Sequence, residues 1–299
     1  VGGGPSGLEC SLTLGKQAHR VILAETLTEL GGRVSLESKL PGLAEWSRVK
    51  DHRKILLDKM ENVSIYCGNS LTASEIIEFS SENKFDYTHV FLATGAKWRR
   101  DGMGRKNRET IPGIESIPIY TPDDIMEGVS LNGKVVVFDD DHFYMGGLIA
   151  EKLKNEGNEV LLVTPASDIS TFTHKTLEQR NIQKKLIELG VELAPNFNII
   201  SAHPRMVKLS CVFTGNIIEK ECDNLLLVTE RIPNDELQKK LEKNQDKLSE
   251  VGIKTFRSIG DSFSPGTIAA AVYSGHLAAR EFQASLNEDV PFLRERIEI

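Results

Sequence analysis

The sequence predicts an α/β fold in which one βαβ nucleotide-binding plan occurs twice, with the second copy inserted in the first. Three observations carry this. A glycine loop, Gly2 to Gly7, leads straight into an apolar helix, and a second strand–turn–helix–strand unit starts at Lys134. A late strand, Phe256 to Asp261, then returns to the pattern of the first half.

The opening stretch Val1-Gly2-Gly3-Gly4-Pro5-Ser6-Gly7 has the form G-x-G-x-x-G, with Gly2, Gly4 and Gly7 in the glycine places. The first glycine makes the tight turn, the second lets backbone approach a pyrophosphate, and the third lets helix pack on strand. Pro5 and Ser6 open the helix, where unpaired N–H groups and the helix dipole favour phosphate. Arg20 to Ala24 reads as a buried second strand ending at Glu25. A carboxylate there can accept from the ribose hydroxyls of adenosine and would repel a 2′-phosphate. Such folds begin with an apolar strand, yet only Val1 precedes the loop and there is no initiator Met. A longer polypeptide with an upstream part is therefore expected.

Gly31-Gly32-Arg33 is a second glycine pair; Gly32 permits close backbone approach, and Arg33 can face phosphate or flavin, or simply solvent. A helix from about Arg48 to Met60 and a strand from Val63 to Tyr66 follow. The apolar run from His89 closes on Ala93-Thr94-Gly95, small residues beside which a dinucleotide can pass. From Trp98 to Arg108 the chain is basic and glycine-broken, and Pro112, Pro118 and Pro122 come next, which reads as an exposed crossover.

The second unit has strand Val135 to Phe138, helix Gly147 to Asn155 and strand Val160 to Val163. In place of a glycine fingerprint it carries Asp139-Asp140-Asp141-His142-Phe143-Tyr144-Met145-Gly146-Gly147. A carboxylate about 4 Å from a phosphate costs roughly 1 to 4 kcal/mol, depending on screening. The next strand ends in Thr164-Pro165-Ala166, with neither an acid for NAD nor an arginine for NADP, so the shape of an NAD(P)H domain is expected without its usual site. A helix about Leu177 to Leu189, short strands at Val191 to Leu193, Met206 to Leu209 and Cys211 to Phe213, the buried strand Asn224 to Thr229 and a charged helix Glu236 to Glu250 complete the insertion. The expected division is 1–120 with 253–299 for the first domain and 121–252 for the second.

On the return, Gly260 would let backbone approach the nucleotide's second phosphate, and Asp261 would accept from a ribityl hydroxyl or cap the helix. Thr267 and Ile268 open a helix running to about Gln283, whose N-terminus would aim its dipole beyond.

A formal charge of −7 argues against nucleic acid or an anionic membrane as partner. No apolar run reaches membrane-spanning length. The four cysteines, Cys10, Cys67, Cys211 and Cys222, lie far apart, so neither a metal centre nor a redox dithiol is indicated. Cys10 and Cys67 are expected as buried, reduced thiols, which fits a cytoplasmic setting.

Together these motifs resemble the flavoproteins built from two Rossmann-like FAD/NAD(P)-binding domains, the second inserted in the first. More narrowly, Pro41 to Trp46, Ala93 to Trp98, Asp139 to Gly147, Arg231-Ile232-Pro233-Asn234-Asp235 and Pro265 to Gly275 resemble the C-terminal part of the trimethylamine, dimethylamine and histamine dehydrogenases. The resemblance implies ADP in the glycine-loop domain, where related 2,4-dienoyl-CoA reductases hold FAD. It also implies an upstream (β/α)8 barrel of the same polypeptide with FMN and a [4Fe–4S] cluster, an electron-transferring flavoprotein as acceptor, and a homodimer. No catalytic residue is then expected in this chain, which would be inactive alone. Two other readings stay open: a self-contained reductase passing hydride from NAD(P)H to FAD, and a non-catalytic module that its nucleotide only stabilises.

Overall fold

The computed structural model of the chain describes residues 1–81 and 89–282, so the expected helix end at Gln283 lies outside the described residues. They form two compact units. The first holds Val1–Ser38, Glu45–Ala96 and the chain from Pro233 onward, and the second holds Lys39–Ala44 and Lys97–Ile232. The chain thus changes unit near Ala96 and Pro233, where the sequence reading set the divisions at 120 and 253.

The first unit opens with α1, Pro5–Lys16, whose first position is a proline with no N–H to leave unpaired. Then come β1, Val21–Glu25, the short α2, Arg33–Glu37, and α3, Arg48–Leu57. The last helix stops before the expected Met60. Asn62 donates through Nδ2 to Gly15 O at 2.9 Å and His19 O at 2.7 Å, drawing the chain into β2, Val63–Cys67. Cys67 ends that strand exposed, against the expectation of a buried thiol, whereas Cys10 is buried and its thiol pushed up to about 12 by burial. Next are α4, Ala73–Ser81, which the sequence reading missed, and β3, His89–Leu92. Ala93-Thr94-Gly95 therefore lies beyond the strand end.

The second unit begins in β4, Ala96–Trp98, continues through β5, Ile119–Tyr120, and α5, Pro122–Met126, and reaches β6, Lys134–Asp139, α6, Tyr144–Asn155, and β7, Glu159–Thr164. The crossover before it is less exposed than expected: Trp98 is buried, and Arg99 pairs with Asp101 at 2.6 Å. Helix α7 spans Gln179–Glu188, starting after the expected Leu177 because that residue is left-handed and 87% exposed. It is followed by β8, Glu192–Pro195, β9, Phe197–His203, β10, Met206–Cys211, β11, Ile217–Glu221, β12, Asn224–Val228, and β13, Arg231–Pro233. The expected strand at Cys211 to Phe213 is instead a turn, closed by Gly215 N donating to Cys211 O at 2.9 Å. A parallel sheet of order β5-β12-β6-β7-β8 forms one layer, and the antiparallel β11-β10-β9 packs on it. Phe138, Val163, Leu225 and Leu227 from the parallel sheet share a core with Ile199, Val207 and Leu209. These near-continuous apolar strands are what a sheet covered on both faces requires.

The chain returns to the first unit in α8, Glu236–Glu242, and α9, Gln245–Glu250. One charged helix was expected here, but Asn244 Nδ2 takes the Lys240 carbonyl at 2.8 Å and ends the first segment. Strand β14, Thr255–Ser258, pairs in parallel with β3, and α10, Ile268–Glu281, closes the unit. Gly2 N donates to Ala24 O, Val1 N to Phe91 O and Ala93 N to Val1 O, so the opening segment lies between β1 and β3. Across the sheet the order is β2, β1, Val1–Gly3, β3, β14.

Candidate functional site

In the first unit the glycine loop sits at the junction of the strand ends, and its shape is fixed by backbone contacts. Gly2 has φ +102°, and a Cβ on it would stand 2.3 Å from Ala93 O. A Cβ on Gly7 would stand 1.9 Å from Gly2 O, so only glycine lets α1 pack this close to the strand. At Gly4 the opposite holds. It is the extended N-cap of α1, and a Cβ there would meet nothing within 4 Å, leaving room in front of the helix N-terminus. Four N–H groups at such an end have no intrahelical partner, and Pro5 removes one.

Ser6, on the first turn of α1, is 5% exposed, and its Oγ has no hydrogen-bond partner among the described residues. A Cβ on Gly260 would fall 2.6 Å from Ser6 Cβ, and Gly260 N donates to Ser274 Oγ at 2.8 Å. Gly275, on α10, would bring a Cβ within 2.1 Å of Ser6 O. The α1 start, Gly260 and α10 are therefore in contact.

Glu25 is buried, and both of its oxygens are engaged: Gly3 N donates to Oε2 at 2.6 Å and Leu27 N to Oε1 at 2.8 Å. The acid clamps the glycine loop. Behind it, Gly31 N donates to Gly3 O at 2.8 Å, and the added Cβ of Gly32 would lie 3.2 Å from Gly4 Cα. Arg33 donates to Ala96 O at 3.0 Å and lies 3.9 Å from Glu37, so its guanidinium holds the chain beyond Gly95. Thr94 Oγ1 donates to Asn234 O at 2.7 Å. Asp261 Oδ1 accepts from Gly266 N at 3.0 Å, and Thr267 caps α10 by accepting from Ala270 N at 3.2 Å, with Ile268 at the first helical position.

The sequence reading passed over Gly3, Ser274 and Gly275 as site residues, and placed Asn234 only within a motif. Gly3 was legible as a third consecutive glycine; the others depend on contacts distant in sequence.

The corresponding strand-to-helix turn of the second unit carries buried acids. Asp139 ends β6 fully buried, its Oδ1 accepting from Asp141 N at 3.2 Å and His142 N at 2.9 Å. Its Cγ lies 2.4 Å from where a Cβ on Gly146 would be, so the carboxyl packs under the start of α6. Burial, followed by the neighbouring Asp141, pushes Asp139 up to about 7, and Asp141 is raised mainly by its own burial. Asp140 is also fully buried; it accepts Lys106 N at 2.7 Å and faces His142 Nε2 at 3.4 Å. His142 stands edge-on to Phe172, over which Arg105 lies at 5.1 Å.

Among the described residues no helix is long and apolar enough to cross a membrane. Residues 120–217 match the model of the OYE-like second alpha/beta domain. The chain is 31% identical to dimethylamine dehydrogenase of Hyphomicrobium sp. (strain x), over 99% of this chain and 43% of that protein. Superposition on histamine dehydrogenase from Rhizobium sp. 4-9 gives a TM-score of 0.93 at 40% identity, covering 100% of this chain and 46% of that one. With 6-hydroxypseudooxynicotine amine oxidase from Pseudomonas geniculata N1 the TM-score is 0.89 at 38% identity, over 95% of this chain and 41% of the other. The chain thus spans less than half the length of these relatives.

Proposed function

Because the chain is homologous to the dimethylamine and histamine dehydrogenases along nearly its whole length, we propose that it is the nucleotide-binding part of an amine-dehydrogenase-like flavin oxidoreductase. The first unit binds ADP, or the ADP half of FAD, across the glycine loop. The observation that carries this reading is the start of α1, where Gly4, the extended N-cap, leaves open space before the helix N-terminus. Backbone N–H groups at that helix end have no intrahelical partner, and a phosphate there would accept from them.

In this reading the loop amides, that of Ser6 among them, hold the phosphates, Glu25 orients the ribose, and Gly260 and Asp261 border the far side. FMN and a [4Fe–4S] cluster belong to an upstream barrel of the same polypeptide, where they would supply amine oxidation and electron transfer. The partners are that barrel, an electron-transferring flavoprotein and a second copy of the protein, in the cytoplasm. A self-contained NAD(P)H reductase is the poorer reading, because the second unit has acids in place of a glycine fingerprint and its 104–106 backbone is tied to Asp140 at the end of β6.

Denaturing the purified protein and identifying the released nucleotide by mass spectrometry tests the assignment. ADP or FAD is expected, and a visible flavin band distinguishes them. Release of NADPH, or failure of the stripped protein to take up either adenylate, would overturn it.

A further inference from the structure

The segment after β3 is clasped by one residue far away in sequence. Asn234 donates from Nδ2 to Thr94 O at 2.9 Å and from its backbone N to Gly95 O at 2.9 Å, and its own carbonyl accepts from Thr94 Oγ1 at 2.7 Å. All three residues belong to the first unit. All three bonds join neutral groups of Thr94, Gly95 and Asn234, so the clasp fixes the shape of the loop.

That shape has a chemical consequence. In a trans peptide the carbonyl and the N–H point in opposite directions, and the described residues contain no cis peptide bond. Turning the Thr94 carbonyl toward Asn234 therefore turns the Gly95 N–H away from it, and that N–H has no acceptor among the described residues. Gly95 has φ +74°, and a Cβ on it would meet nothing within 4 Å, so the peptide borders open space. Ala93, just before it, is wedged against Gly2. In the sheet order the Glu25 end of β1 lies on one side of the opening segment, and β3 with β14 on the other. With the ribose at Glu25, the nucleotide runs toward β3, and its outer phosphate is the part that meets Gly95.

The geometry points to Asn234 as a positioning residue for the nucleotide's outer phosphate, acting by fixing the Thr94–Gly95 peptide with its N–H presented to the cleft. This inference rests on the reading that the glycine loop holds an adenylate.

The test compares ADP with AMP, titrated calorimetrically into nucleotide-stripped protein. Asn234→Ala and Asn234→Leu, the second keeping the side chain's bulk and the backbone bonds but losing the Nδ2 donor without adding charge, are expected to weaken ADP about tenfold and AMP less than about twofold. Thr94→Val should lose about threefold for ADP, and Thr94→Ser should match the parent. If Asn234→Ala does not fold, the Leu and Val variants decide. Equal weakening of ADP and AMP, or a lowered melting temperature with the ADP-to-AMP ratio unchanged, would reduce Asn234 to a structural role and overturn the inference. Failure of the unsubstituted protein to bind either adenylate would instead remove the glycine-loop reading itself.

Discussion

Gly7 stands so near Gly2 that a Cβ added to it would lie 1.9 Å from the Gly2 carbonyl oxygen, well inside any real contact. Relief requires α1 to move off the strand, so Gly7→Ala should cost at least about 2 kcal/mol of stability and abolish adenylate binding together. Gly4→Ala separates the two effects. Gly4 has φ −75° and no neighbour around its added Cβ, so the fold should lose less than about 1 kcal/mol. The methyl would project into the space the phosphate needs, and affinity for ADP should fall at least about tenfold. Urea unfolding and calorimetry on the same pair of variants check this, and unchanged ADP affinity in Gly4→Ala would count against phosphate at this loop.

Glu25 accepts two backbone N–H groups, one on each oxygen. Glu25→Gln leaves one of them facing an amide that can only donate. A loss of about 1 to 3 kcal/mol is expected even without nucleotide, measured by denaturant unfolding of the stripped protein. A purely ribose-binding carboxylate would show no such loss in the absence of ligand.

These two residues also show what was legible in the sequence. The spacing of Gly2, Gly4 and Gly7, and the acid at the end of the next strand, identify a helix start built for close approach. They do so because the requirements are local: a missing side chain and a strand terminus. Asn234 and Ser274 reach Gly95 and Gly260 through contacts across the fold, and a single Asn or Ser in a sequence carries no periodicity that would mark it. Element ends failed for a related reason. Asn244 ends α8 by taking the Lys240 carbonyl, Asn62 ties the chain after α3 to Gly15 O and His19 O, and at Leu177 a left-handed backbone overrides a helical pattern.

Asp139 gives the second unit a pH dependence of defined sign. Burial holds its carboxyl up to about 7 in the folded chain, against about 3.9 when unfolded. Between those values the folded state keeps a proton that the unfolded state has lost, so stability declines as pH rises through the window and levels off above it. Asp139→Asn can still accept from His142 N while removing the ionisation. Relative to the parent it should be nearly neutral at about pH 4 and gain up to about 4 kcal/mol by about pH 8. Urea midpoints of both proteins across that range check it; a constant difference would show that Asp139 ionises freely.

The same buried acids predict which nucleotides the chain discriminates. In an open parallel sheet a dinucleotide lies outside the carboxyl ends of the strands, over the helix that follows the first of them. In the second unit that ground is held by the protein. Asp139 packs beneath Gly146, and Asp140 ties down Lys106 N at 2.7 Å, so the 104–106 backbone lies against the end of β6. A nicotinamide dinucleotide would have to break that hydrogen bond and place its phosphates beside buried carboxylates. Ligand at a hundred times its dissociation constant stabilises by about 2.7 kcal/mol, which for a domain of this size raises the melting temperature by several degrees. ADP should give such a shift at millimolar concentration, and NADH or NADPH less than about 1 °C. Asp140→Ala, which frees Lys106 N, should leave the ADP shift intact because Asp140 and the glycine loop belong to different units. An NADPH shift that Asp140→Ala enlarges would mean that the second crevice is only gated by this acid, whereas a full NADPH shift in the unsubstituted protein would defeat the prediction.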